Sequence, residues 1–209
     1  MEKKLPLLFD LDGTLWDARE GIAEAWNEVS LRHFGIGGID VERVTSLMGM
    51  QMDDIVEALS PFKASKEAKE SFGKEAFEYE NHYLSKKPGK VYFQVEETIQ
   101  TLKERGYQVY IVSNCQKGYI ENFLNIVKPG LFDDYLCFGD TNGPKSLTIK
   151  TILKKHGFEK GIYIGDTAGD EKATREAGCD FVYASYGFGK AISPDYVIKT
   201  FVDLLSIFE

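Results

Sequence analysis

The chain has little of what builds disulfide frameworks, zinc sites or membrane spans. Its three cysteines, Cys115, Cys137 and Cys179, are odd in number and widely spaced, with no CxxC pair and only three histidines in the chain. That spacing excludes a disulfide scaffold and a Cys/His zinc site, and the thiols read as reduced core residues of a cytoplasmic protein. No apolar run approaches the roughly 18 residues that a spanning helix needs. The run Leu5 to Phe9 is interrupted at once by Asp10 and is too short for a signal segment. Positive charge is scarce as well: 25 Lys and Arg against 33 Asp and Glu leave a formal net charge of -8, which disfavours attraction to a polyphosphate backbone. Neither nucleic acid nor a membrane is an expected partner, and the acidic surface favours a monomer. A phosphorylated ligand would need a metal or a few local cations where it binds.

What is present is an ordinary globular chain of 209 residues, 43% hydrophobic and 28% charged, enough for one large domain or a core carrying a smaller one. Leu5 to Phe9 reads as a strand buried on both faces that ends in Asp10 and a Gly13-Thr14 turn. From about Gly21 to Ser85 apolar residues recur at helical spacing, as in Ile22, Ala25, Trp26 and Val29, and nothing there reads as a strand. After Lys87-Pro88-Gly89 the patterns alternate. Helices are predicted near Val95 to Glu104, Lys117 to Val127, Leu147 to Lys155 and Ala168 to Ala177. Strands are predicted at Gln108 to Val112, Tyr135 to Phe138, Gly161 to Ile164, Phe181 to Ala184 and Tyr196 to Ile198, with a closing helix. Such alternation implies an α/β fold with a doubly wound, mainly parallel sheet. The expected organisation is a Rossmann-like core from residues 1–16 and 88–209, with an all-helical insertion at 17–87.

Asp10-Leu11-Asp12-Gly13-Thr14-Leu15 puts two carboxylates on one side of a strand end, beside a glycine that lets backbone amides approach a ligand. Asp10 could attack phosphorus while Asp12 works as general acid and then base, with Gly13 and Thr14 near the phosphoryl oxygens. The same letters also suit a plain Asp-Gly turn. A second strand end, Gly165-Asp166-Thr167-Ala168-Gly169-Asp170, could supply metal ligands or merely cap a helix. Asp10, the Asp12 carbonyl and Asp166 would hold Mg2+, with Asp170 orienting them. Ser113 and Asn114 close another strand, and Lys145 opens a helix after Gly143-Pro144. They could hold phosphoryl oxygens and offset charge, or serve as a turn and a solvated lysine.

Taken in order, DLDGTL, the strand-end Ser113, the loop Lys145 and GDTAGD resemble the four motifs of the haloacid dehalogenase-like superfamily across essentially the whole chain. The resemblance implies Asp10 as nucleophile, Asp12 as acid and base, Ser113 and Lys145 as phosphate ligands and Asp166 as metal ligand. The helical insertion resembles the cap of the phosphoglycolate phosphatase and β-phosphoglucomutase group, and Gly49 resembles its substrate-facing cap glycine. Ser146 stands where that group commonly has Pro, and Trp16 and Arg19 where small or hydroxyl residues are frequent.

Asp12 separates the chain from the dehalogenases, because an alkoxide leaving group needs a proton and a halide does not. The expectation is therefore a Mg2+-dependent phosphatase acting on a small phosphorylated metabolite. A sugar phosphomutase and a non-catalytic regulator are the alternatives. Trp16, Arg19, Glu20, Gly49, Met50 and Gln51 are the candidates for substrate specificity.

Overall fold

The computed structural model describes residues 4–209. Strand β1 (Leu7–Phe9) is followed by the two-residue β2 (Trp16–Asp17), four helices, α1 (Arg19–Phe34), α2 (Val41–Thr45), α3 (Met52–Leu59) and α4 (Lys66–Lys86), and a returning strand β3 (Lys90–Val91). Then come α5 (Val95–Glu104), β4 (Val109–Ser113), α6 (Tyr119–Leu124), β5 (Asp134–Cys137), α7 (Phe138–Thr141) and α8 (Lys145–Lys155). The chain closes with β6 (Ile162–Gly165), α9 (Ala168–Glu176), β7 (Asp180–Ala184), β8 (Tyr196–Ile198), a 3₁₀ turn and α10 (Leu204–Ile207).

Six strands pair in parallel in the order β5-β4-β1-β6-β7-β8, with Leu8 opposite both Tyr110 and Tyr163. Alternation splits β1 between two cores. Leu7 and Phe9 pack with Ile99 and Leu102 of α5, while Leu8 packs with Ile149 and Ile152 of α8. Both faces are thus covered, which is why these strands read as unbroken apolar runs. From β1 the chain steps outward through β4 to β5 and then returns to β6 on the other side. The order reverses beside β1, so a crevice opens at the carboxyl ends of β1, β4 and β6, where such sheets bind ligands.

Helices α1 and α4 form the body of the insertion, with Trp26 edge-on to Phe72 and Phe77 at 5.6 and 5.4 Å. The Ser65 hydroxyl starts α4 by accepting from the Ala68 amide. Among the described residues no helix is long and apolar enough to cross a membrane.

Four details differ from expectation. Strands β2 and β3 pair antiparallel, Trp16 with Val91 and Asp17 with Lys90, and join the two ends of the insertion. At two residues each they are too short for any periodicity to show. Phe138 belongs to α7 rather than to a strand, because Asp140 accepts from the Cys137 amide and turns the chain into a helix. Helix α6 is shorter than its apolar pattern, and α8 begins at Lys145, two residues before Leu147.

Candidate active site

Asp10 leaves the end of β1 with its carboxylate buried. Lys145 Nζ donates to Asp10 Oδ1 at 2.8 Å and to Asp170 Oδ1 at 2.5 Å. Lys145 comes from the first turn of α8, where Pro144 fixes the helix entry. Burial alone would lower its pKa, but its two carboxylate partners hold it well above the ordinary lysine value. Burial also pushes Asp10 up to about 6, with the Asp170 charge adding to it and Lys145 opposing. The Tyr163 hydroxyl lies 3.3 Å from Asp10 Oδ1 and donates to the Val112 carbonyl at 2.7 Å.

Asp12 is half-buried in the turn after Asp10. Its Oδ1 accepts from Trp16 Nε1 at 2.9 Å and from the Tyr119 hydroxyl at 2.8 Å. Burial raises its pKa to about 8; the Tyr119 bond works against this, and the nearby Asp10 and Glu80 charges reinforce it. Burial thus favours the protonated form of Asp12.

Asp166, at the end of β6, is wholly buried. Its Oδ2 accepts from the Phe188 and Gly189 amides at 2.6 and 3.3 Å, whereas its Oδ1 has no protein partner. Gly13, at φ +80°, and Gly187 both press on this carboxylate, and a Cβ at either would collide with it. Burial, then the charges of Asp170 and Asp10, raises Asp166 to about 8. Carboxylate oxygens of Asp10, Asp166 and Asp170 lie within 4.8 Å of one another. Three desolvated carboxylates, one lysine and one orphaned oxygen form an incompletely neutralised set. A hard divalent cation such as Mg2+ fits it, since it takes oxygen ligands.

Asp166 is not a helix cap. Thr167 is, and Asp170 completes a capping box by accepting from the Thr167 amide and hydroxyl at 3.0 and 2.7 Å. Asp170 therefore places one oxygen on the helix start and the other on Lys145.

Ser113 is buried at the end of β4 and accepts from the Cys115 amide at 3.3 Å. The Asn114 side chain turns the other way and donates to the Gly49 carbonyl at 3.0 Å. The amides of Gly13 and Thr14 close the turn on Trp16 and Leu11 carbonyls instead of facing a ligand. A Gly-Thr pair after two acids reads alike whether it binds a ligand or only makes a turn.

Above these groups lies a cavity of about 80 Å³, walled on one side by the sheet end and on the other by the insertion. One water needs roughly 10–15 Å³ by this measure, so a molecule of several heavy atoms fits. Gly49 and Met50 line it, as do Trp26, Leu47, Ile55 and Glu80. Four specificity candidates do not. Trp16 is buried beneath Asp12. Arg19 pairs with Asp17 at 2.7 Å and lies over the Phe188 ring. Glu20 is exposed near Lys90, and Gln51 is exposed ahead of α3. Their charge and polarity are satisfied locally or by water.

Sequence reasoning missed Glu80, Gln116, Tyr119 and Tyr163. Glu80 did leave a trace, since it shares the stripe of Phe72, Ala76 and Leu84 on the buried face of α4. An acid there is out of pattern.

The family model of the haloacid dehalogenase-like hydrolases matches residues 7–184. The chain belongs to that family. A phosphoglycolate phosphatase of Aquifex aeolicus is 30% identical over 97% of this chain and 96% of its own length. One of Yersinia pseudotuberculosis is 27% identical over 94% of this chain and 90% of its own. Among solved structures, a haloacid dehalogenase-like family protein of Streptococcus pneumoniae superposes with a TM-score of 0.84 at 22% identity, over the full length of both chains. CbbY of Rhodobacter sphaeroides, solved with xylulose-(1,5)-bisphosphate, superposes at 0.83 and 15% identity over 99% of this chain and all of that one. At these identities the two structures speak for the fold. As a haloacid dehalogenase-like hydrolase this chain is an enzyme, a phosphoric monoester hydrolase.

Proposed function

We propose that this enzyme hydrolyses a small phosphorylated metabolite with Mg2+, through an aspartyl-phosphate on Asp10. One observation carries the reading. Asp10 is paired with Lys145 at 2.8 Å at the base of a cavity, two residues from Asp12, whose burial favours the protonated carboxyl. Asp10 attacks phosphorus and Asp12 gives its proton to the departing alkoxide oxygen, so the alcohol leaves neutral. Asp12, now a carboxylate, removes a proton from the water that cleaves the acyl phosphate, and both residues return to their starting state. Trp16 and Tyr119 both act on Asp12 Oδ1, which leaves Oδ2 to carry the proton.

Asp10, Asp166 and the Asp12 carbonyl would hold Mg2+, which offsets the negative charge of the phosphoryl group when bound. Lys145 and the Ser113 hydroxyl would receive phosphoryl oxygens. Asp170 positions Lys145 and anchors α9. Residues 17–87 act as a cap that excludes bulk water. Supporting this, Asn114 reaches the Gly49 carbonyl, and Asn81 of α4 donates to the Lys117 carbonyl at 2.8 Å. Three buried, unpaired cysteines suit a reducing cytoplasm. The printed names of the relatives make 2-phosphoglycolate the first ester to assay.

The test is hydrolysis of p-nitrophenyl phosphate with and without Mg2+, for the wild type and Asp10→Asn. Metal-dependent turnover that vanishes in the variant is expected. Equal rates in the two proteins would remove Asp10 as nucleophile, and turnover in the presence of a chelator would remove the metal.

A further inference from the structure

The insertion's wall of the cavity carries a single ionisable side chain, and it is an acid. Glu80 of α4 is only 4% exposed and lines the cavity. Its Oε2 accepts from Trp26 Nε1, and its Oε1 accepts from Gln116 Nε2 at 3.2 Å. Around it the wall is apolar, with Ile22, Val44, Leu47, Met52 and Ile55. Among the described residues the one cationic side chain lining the cavity is Lys145, at the opposite end and already between Asp10 and Asp170.

The neutral donors near Glu80 are engaged as well. Trp26 and Gln116 serve Glu80, the Tyr119 hydroxyl serves Asp12, and Asn114 serves the Gly49 carbonyl. An anionic group at the far end of a substrate would meet no counter-charge there, and of these four side chains Asn114 alone keeps a second N–H to offer. The anion would also face the Glu80 carboxylate in a medium that screens poorly, where like charges cost most. Each Glu80 oxygen accepts one hydrogen bond and retains a second lone pair for another donor. Burial is the main reason Glu80 titrates near 7, so it is largely ionised at pH 8.

Resting on the phosphatase reading above, we propose that Glu80 selects phosphomonoesters whose leaving alcohol ends in a hydrogen-bond donor, hydroxyl or ammonium, and rejects those ending in an anion. Glu80 is thus a specificity residue rather than part of the bond-breaking machinery. Discrimination of this kind arises because one ligand satisfies a buried polar group and the other leaves two like charges facing each other.

The experiment compares kcat/KM at pH 8 with Mg2+ for three esters of similar size: 2-hydroxyethyl phosphate, O-phosphoethanolamine and 2-phosphoglycolate. The wild type is expected to favour at least one of the first two over 2-phosphoglycolate by about tenfold or more, and which of them leads identifies the donor. In Glu80→Gln that ratio should shrink by about tenfold, because the repulsion is gone. A purely structural glutamate would lower all three values together and leave the ratio unchanged, which would overturn the proposal. Preference of the wild type for 2-phosphoglycolate would overturn it too, while leaving the phosphatase reading intact. The wild-type ratio decides even if the variant fails to fold. Absence of turnover on these esters and on p-nitrophenyl phosphate would sink both readings.

Discussion

The two walls of the cavity are built on opposite principles. The sheet end gathers the carboxylates of Asp10, Asp166 and Asp170 within 4.8 Å of one another, with Asp12 beside them and Lys145 tying Asp10 to Asp170. The insertion offers methionines and aliphatic residues with one buried acid, held by a tryptophan and a glutamine. A charged cluster taken out of water is useful only where charge will develop during reaction, so the sheet end carries the chemistry. An apolar wall with one polar group instead sorts ligands by what their far end presents.

The largest expected effect lies on the sheet side. Asp10→Asn keeps the shape of the side chain and removes the nucleophile, so turnover should fall by more than about 10⁴-fold. A loss under tenfold in steady-state assays would mean that the wall assignment is wrong.

Asp12→Asn comes next and tests the acid separately. On an alkyl phosphate, whose alkoxide must be protonated, kcat/KM should fall about 10²- to 10³-fold. On p-nitrophenyl phosphate, which leaves as a stabilised phenolate, the loss should be clearly smaller. Equal losses on the two esters would leave Asp12 as a structural partner of Trp16 and Tyr119 only.

The contrast also explains what could be read in advance. Strand ends such as Phe9-Asp10 and Ile164-Gly165-Asp166 announce themselves, because a run buried on both faces followed by acids has few other meanings. The parallel core followed from the same runs. Of the insertion's wall only Gly49 and Met50 were legible, since most of the rest comes from four helices whose apolar stripes serve packing and cavity alike. Arg19 and Glu20 looked like specificity residues from their position beside the motif. The structure uses Arg19 to bind Asp17 and leaves Glu20 in solvent, because the short β2–β3 ribbon turns the chain there. Glu80 went unseen for the opposite reason. Seventy residues separate it from Asp10, and one charge on a helix is ordinarily a solvated one.

Glu80 also yields a stability test on the insertion's side. Its folded-state pKa, about 7, lies above the ordinary 4.5, with burial as the leading cause. For an acid raised in this way, the stabilisation is complete below about 4.5 and is lost as pH rises through about 7. Glu80→Gln has no proton to lose. Relative to wild type it should therefore gain stability between pH 5 and pH 8, by up to about 3 kcal/mol. Urea unfolding of both proteins at the two pH values measures this as a difference of differences, so the altered hydrogen bond to Gln116 cancels. Parallel pH profiles would show that Glu80 is not desolvated as described.

The smallest effect concerns the seam between the walls. Asn114 is a candidate phosphate ligand through its backbone amide, while its side chain donates to the Gly49 carbonyl of the insertion. One hydrogen bond of this sort contributes about 0.5–1.5 kcal/mol. If Asn114 holds the insertion against the sheet, Asn114→Ala should raise KM about two- to tenfold with kcat nearly constant, because closure is weakened for ground and transition states alike. If its side chain instead carried the phosphoryl group, kcat would fall by about 10² with KM little changed, as when an oxyanion donor is removed. The split between the two constants decides whether residue 114 belongs to the wall that reacts or to the one that sorts.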